Sequence, residues 1–403
     1  MLKTDCRGCG GTNLQLVISL GVSPLANNLL KHPHEIDSLY PLAMMYCTDC
    51  HNCQLSYTVP AQAMFDEYLY VSSTSKSFRD HFSNAADQYI RQFNLTDASL
   101  VVDIGSNDGI ALTPLQNKGV RVVGVEPAKN VAEIAWQNKI ETVNAYFTQE
   151  VANQIVQQYG HADVVTASNV FAHADKLDEI AHAVFSLLRP EGSFIIEVQY
   201  LLDTIKDLTF DNIYHEHVNY WSVTSLNNFF NRIGYCIYKV EHVDTHGGSI
   251  RVYITKNSDN IDTSVFEFLD KEEKFGLTNI NTYLAFADKV KQTKQKTIEN
   301  LNVLKKNNLI IVGYGAPAKA TTVLNYYGIN TNQLEYIVED NKLKHDKIVP
   351  GVRIPIYSKD KLNEIKPDVL LVMAWNFFEE IKKNNQALIE QGIQFVNIKD
   401  LSI

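Results

Sequence analysis

Between residues 100 and 198, short β-branched runs alternate with stretches whose apolar residues recur at helical spacing. The runs at 100–104, 120–125, 162–167 and 192–198 predict buried strands, and the patterns at 130–138 and 177–188 predict the helices between them. Such alternation implies a parallel sheet covered on both faces. A second unit of the same kind begins near residue 309, with strands expected at 309–312, 335–339 and 369–374 and the segment GYGAPAKATTVLNY read as a glycine turn entering a helix. Residues 262–305 are rich in Lys and Glu with apolar residues at helical spacing, which predicts one or two long exposed helices. Residues 68–82 pass from a hydroxyl-rich segment into a helix, whereas residues 1–65 show too little periodicity to build a large core unaided. The expected fold is α/β: an N-terminal module at 1–65, a central Rossmann-like domain at 66–260, a helical connector at 261–305 and a C-terminal Rossmann-like domain at 306–403.

The first strand runs into VVDIGSNDG, and an acid, Glu126, stands at the tip of the next strand about 20 residues after Gly105. Gly105 and Gly109 allow a ligand close to the backbone, and Glu126 is placed to accept hydrogen bonds from ribose hydroxyls. The spacing is not that of a dinucleotide turn, and Asp103 and Asp108 put negative charge where a pyrophosphate would sit. Two acids suit a ligand with a cationic centre, so S-adenosylmethionine (SAM) fits better than NAD. Ser106, Asn107 and Pro127 flank this turn, and Asn169, in the loop after the third strand, lies where such sheets bind ligands. In the second unit, Gly313 to Ala318 resembles a degraded dinucleotide fingerprint with Glu339 as a possible ribose acid, and its helix N-terminus favours a phosphate-bearing substrate.

Composition narrows the partners. The 403 residues carry a net charge of −10 with no extended Lys/Arg cluster, which argues against nucleic acid and anionic membranes. No apolar run follows a basic start, so a cytoplasmic protein is expected. Nothing in the sequence fixes the oligomeric state, and a monomer is compatible with it. Five of the six cysteines fall at the N-terminus as Cys6-x2-Cys9 and Cys47-x2-Cys50-x2-Cys53, a pattern that suits a structural zinc ion held by Cys6, Cys9, Cys47 and Cys50. Replacement of Cys50 by Cys53 in that set stays open.

The segment FDNIYHEHVNYWS concentrates groups able to do chemistry. Tyr214 and His217, at i and i+3, can share a face, His217 is suited to remove a proton near neutral pH, and Glu216 could orient it. Further on, His246, Gly247, Gly248 and Arg251 are suited to gripping a polar ligand or to forming a plain turn before a strand.

Taken together with SPLANNLL, GVEPAKNVA, NVFAH, HGGSIRVY, GYGAPAKATT and MAWNF, these segments resemble the SAM-dependent sugar C-methyltransferases that act on nucleotide-linked 4-keto-6-deoxyhexoses. The resemblance spans nearly the whole chain. It implies methylation at C3 through an enolate, with His217 as base, Tyr214 and Glu216 assisting, and His173 and Tyr68 near the methyl donor and sugar; the donor that stabilises the enolate oxygen is then expected to be Tyr214 or His173. It also implies a C-terminal domain that helps to hold a nucleotide-sugar substrate, through Gly315, Ala316, Lys319 and Asn376. A zinc-containing RNA methyltransferase and an NAD-using sugar-nucleotide enzyme are the rival readings. The acidic balance and the second α/β unit oppose the first, and comparing NADH with SAM binding would separate the second.

Overall fold

The computed structural model describes residues 1–65, 71–245, 247–256 and 260–402, organised around three sheets. The N-terminal sheet contains β1 (Leu14–Pro24), β2 (Leu39–Cys47) and β3 (Cys53–Leu55), joined by β9 (Asn219–Tyr220) from far along the chain, in the order β1-β2-β3-β9. Sequence periodicity missed this sheet for a physical reason. Register shifts between Leu16 and Ile18 and between Ser19 and Val22 interrupt the pairing of β1 with β2, so inward and outward residues do not alternate along β1.

The central sheet has seven strands in the order β10-β11-β8-β7-β4-β5-β6. These are β4 (Leu100–Ile104), β5 (Arg121–Val125), β6 (Thr142–Val143), β7 (Ala162–Ser168), β8 (Leu188–Gln199), β10 (Cys236–Val243) and β11 (Ser249–Thr255). Five run parallel as β6-β5-β4-β7-β8, and β11 is antiparallel to both β8 and β10. The chain steps outward from β4 to β6, then returns to β7 on the other side of β4. The carboxyl ends of β4 and β7 therefore flank a switch point, where sheets of this kind open a crevice. Helix Lys76–Phe93 covers part of one face with Phe78, Phe82, Ala85, Ala86 and Tyr89, begins at the Ser75 cap and ends at left-handed Asn94.

The C-terminal sheet, in the order β14-β15-β13-β12-β16-β17, comprises β12 (Ile311–Tyr314), β13 (Ile337–Val338), β14 (Lys347–Ile348), β15 (Pro355–Tyr357), β16 (Val369–Val372) and β17 (Gln394–Asn397). All of its pairings are parallel except β14 with β15, and its switch point lies between β12 and β16. The connecting segment forms two helices, Thr263–Phe275 and Ile280–Lys306, separated by left-handed Gly276. The second was expected to be exposed but is half-buried. Its Tyr283, Phe286, Ala287, Val290 and Leu301 face inward, and Tyr283 packs on Tyr46 of β2 at 4.7 Å between ring centroids. Among the described residues no helix is long and apolar enough to cross a membrane.

Candidate active site

At the end of β4 the chain turns through Gly105, whose φ of +66° an L side chain adopts rarely and whose missing Cβ would collide with Val170. Beyond it, Glu126 at the tip of β5 accepts from the Asn107 N–H at 2.9 Å on one carboxylate oxygen and from the Ala128 N–H at 2.8 Å on the other. Burial raises its pKa while these amides oppose the rise. The hydroxyl-rich segment closes over the turn, with the Ser72 and Ser73 amides donating to Asn107 Oδ1 and Asp108 Oδ2. Asp108 Oδ1 is buried without a protein hydrogen-bond partner, an acceptor left for a ligand, and this fits a cationic donor molecule.

Other expected residues of this turn are placed differently. Asp103 lies within the sheet, where burial pushes it up to about 7 while the Thr166 hydroxyl donates to it at 2.6 Å. Ser106 Oγ sits against Gly124 of β5. The backbone of Glu126 and Pro127 is held by Asn144, which donates to both carbonyls and was not foreseen. Tyr68 lies outside the described residues.

The loop after β7 carries Asn169, left-handed at φ +58°, and His173, and it is anchored by Phe171 stacked on Trp221 at 5.6 Å. His173 and His217 meet across a small cleft, with ring centroids 5.1 Å apart, and Asn169, Gln199 and Asn219 line the same space. The segment bearing His217 is a turn rather than a helix, closed by the His217 N–H donating to the Tyr214 carbonyl at 3.0 Å. The imidazole is oriented at both nitrogens. Nδ1 is 3.0 Å from the Asn212 carbonyl, which can only accept, so Nδ1 carries the proton and Nε2 accepts from the Tyr214 hydroxyl at 2.9 Å. Asn212 is fixed in turn by Gln199, which donates to its side chain at 2.9 Å, and by its own bond to Thr209.

The orienting role expected of Glu216 therefore falls to the Asn212 carbonyl. Glu216 instead accepts from Asn27 at 2.6 Å, which ties the turn to the N-terminal segment. His215 is buried edge-on to Tyr40. Burial lowers His173 to about 4, against roughly 6.5 in an unfolded chain. Its neutral form therefore contributes stability that is complete above about 6.5 and is lost as pH falls towards 4. In His173→Asn, melting temperature should fall less between about pH 7.5 and pH 5 than in the parent protein, as measured by calorimetry.

Arg251, expected to grip the substrate, is committed elsewhere. Its guanidinium is buried and donates to Glu197 at 2.9 and 3.1 Å and to Gln88 at 3.1 Å. Burial raises the Glu197 pKa, but His81 and Arg251 outweigh it and hold this carboxylate below its usual range. Arg251→Met should destabilise the fold by about 3–5 kcal/mol in urea unfolding, because it strands a buried carboxylate.

Gly247 and Gly248 let their loop wedge between two side chains: a Cβ on Gly247 would lie 2.6 Å from the Trp375 ring, and one on Gly248 would strike Asp203. His246 lies outside the described residues. Trp375, which sequence reasoning passed over, donates from Nε1 to Asp211 at 2.6 Å, with the Lys319 and Lys399 ammonium groups 5.0 and 4.4 Å from its ring. Lys319 thus stands where the C-terminal unit meets the 210–212 turn. Asn376, next to Trp375, is exposed.

The C-terminal glycine turn repeats the construction of the first. The Gly315 N–H donates to the Val338 carbonyl, as that of Gly105 does to Val125, both at 2.8 Å. Glu339 accepts from the Ala316 and Asn341 amides at 2.7 and 2.9 Å, the counterpart of Glu126.

In the N-terminal module the ligand atoms of Cys6, Cys9, Cys47 and Cys50 all lie within 4.8 Å of one another. The Cys6–Cys50 and Cys9–Cys47 sulfurs are 3.5 and 3.7 Å apart, close to the edge of about 3.8 Å that a tetrahedron with Zn–S bonds of about 2.3 Å requires. The Gly8 and Gly11 amides donate to the Cys6 and Cys9 sulfurs. Cys53 is turned into the core on β3, so the four sulfurs that converge include Cys50 and not Cys53.

Comparison with known proteins finds three family models that match consecutive parts of the chain. Residues 6–65 match the family model "Putative zinc binding domain", residues 78–240 "Methyltransferase domain" and residues 244–398 "C-methyltransferase C-terminal domain". The chain is 35% identical over 396 residues to C-methyltransferase NovU of Streptomyces niveus, covering 97% of this chain and 94% of that protein. A mitochondrial ubiquinone biosynthesis O-methyltransferase of Bos taurus is 27% identical over 104 residues, 24% of this chain and 27% of that one. Among solved structures, magnesium protoporphyrin IX methyltransferase of Synechocystis with bound SAM aligns at a TM-score of 0.34 and 15% identity, over 44% of this chain and 79% of that one. With a full-length relative of this kind and three consecutive matching models, the chain belongs to the SAM-dependent C-methyltransferases.

Proposed function

We propose that this C-methyltransferase acts at C3 of a nucleotide-linked 4-keto-6-deoxyhexose and that His217 is the base that prepares the carbon. The observation that carries the reading is the fixed imidazole, with Nδ1–H on the Asn212 carbonyl and the Nε2 lone pair toward Tyr214. A C–H beside a ketone is acidic because the charge left behind spreads onto oxygen, so a base held in this way suffices to make carbon nucleophilic. SAM, when bound, supplies an electrophilic methyl group.

His217 Nε2 takes the C3 proton, and the Asn212 carbonyl stabilises the resulting imidazolium through Nδ1–H. For this the Tyr214 hydroxyl first turns from Nε2 to the ketone oxygen of the substrate, which frees the Nε2 lone pair for the C3 proton and leaves the hydroxyl donating to the enolate oxygen as charge develops there. His173, held neutral by burial, adds no like charge beside that imidazolium. Glu126, Asn107, Asp108 and the Gly105 turn hold the donor, with Asn169 at its rim. The Gly315–Ala316 turn and Lys319 hold the nucleotide end of the substrate, in a C-terminal domain beginning near residue 306.

The test is mass spectrometry of a panel of nucleotide-linked 4-keto-6-deoxy sugars incubated with SAM. The hexose should gain one methylene, and in deuterated solvent without SAM its C3 position should exchange. Methylation confined to an oxygen, or no exchange at C3, would overturn the reading.

A further inference from the structure

Arg7 stands inside the first cysteine turn, where a residue ordinarily faces solvent, yet its side chain is fully buried. Its guanidinium reaches four groups. Nε donates to Asp175 at 2.7 Å, Nη2 to the Thr58 hydroxyl at 2.6 Å, and Nη1 to the carbonyls of Leu55 at 2.8 Å and Val218 at 3.4 Å. Asp175 lies two residues after His173, and Val218 directly follows His217. The Thr58 hydroxyl closes the arrangement by donating to Asp175 at 2.9 Å.

We infer that Arg7 is a positioning residue that sets the spacing between the His173 loop and the His217 turn. The inference rests on the reading of His217 as base. Two features support it independently of any ligand. β3 pairs with β9, so Cys53 faces Tyr220 and Gln54 faces Asn219, and the strand that leaves His217 is registered against the segment Arg7 holds. Asn219 also donates to the Ala174 carbonyl at 2.8 Å, a second tie between the same two segments. The planar fork of Arg7 spans all of these acceptors, whereas an ammonium at that position is a point donor and cannot.

The experiment compares Arg7→Lys, Thr58→Val and His217→Asn in the zinc-loaded full chain. It measures kcat and KM for the sugar nucleotide, S-adenosylhomocysteine affinity by calorimetry, zinc content and the pH profile of kcat. Displacing catalytic groups by about 1 Å can cost roughly a hundredfold in rate, so Arg7→Lys should lower kcat by about ten- to a hundredfold. KM, S-adenosylhomocysteine affinity and zinc content should hold near their parent values while the pH profile moves. Thr58→Val, isosteric and outside the cysteine turns, should give a smaller loss of the same kind and decides the matter if Arg7→Lys loses zinc or fails to fold. If His217→Asn is inactive while Arg7→Lys folds with parent kcat, or Thr58→Val keeps parent kcat after Arg7→Lys has failed to fold, the positioning role is wrong and the base reading survives. If His217→Asn retains turnover, the base reading falls and this inference falls with it.

Discussion

His217→Asn should lower kcat by about 10²- to 10⁴-fold while leaving melting temperature and S-adenosylhomocysteine affinity close to parent values. Asparagine can keep a bond to the Asn212 carbonyl or to the Tyr214 hydroxyl, so the turn retains much of its shape while losing its basic nitrogen. Donor affinity should persist because the Gly105 turn and Glu126 are built on β4 and β5 and their bonds do not involve the 214–217 turn. The diagnostic measurement is C3 proton exchange without donor, which should disappear along with turnover. An exchange rate that survives the substitution would assign proton removal to another group.

Removal of zinc should be as severe for turnover, by a different route. Chelation, or Cys47→Ser, withdraws a binding free energy of about 10–16 kcal/mol from a module whose own sheet is bulged and shares its apolar core with the neighbouring units, Tyr46 packing on Tyr283. Loss of metal frees the cysteine turns, Arg7 with them, and the β3 edge to which β9 is paired. We expect turnover to vanish while S-adenosylhomocysteine still binds, since the donor turn belongs to another sheet. Zinc content by atomic absorption, followed with circular dichroism and calorimetry, separates these effects. Because the metal takes thiolates, which protons compete for, zinc retention should weaken as pH falls. A zinc-free chain with parent kcat would refute this account.

The parts legible in the sequence are those whose chemistry is local. Both glycine turns, their acids Glu126 and Glu339, the four converging cysteines and the Tyr214–His217 pair are each set by residues close in sequence or by a spacing with one physical use. What escaped is set by distant pairing. The N-terminal sheet lacked period-two alternation because of its bulges, and its fourth strand comes from residues 219–220. Arg251 beside a glycine pair looked like a ligand clamp, but its partner Glu197 lies on a neighbouring strand. Glu272, fully buried, receives the Val223 and Thr224 amides at a helix start some fifty residues earlier, which no local pattern announces. Trp375 and Arg7 belong to the same class: their meaning is a contact with another unit.

The pairing of β3 with β9 also bears on how the chain is made. During synthesis the hairpin of β1 and β2, with β3 at its margin, emerges long before its fourth strand, and most of the central sheet must leave the ribosome in between. Until then β3 presents bare amides and carbonyls, a template for intermolecular association. Early capture of zinc by the nascent hairpin would hold that margin in register until residues 219–220 arrive, so metal supply during translation should govern the yield of native enzyme.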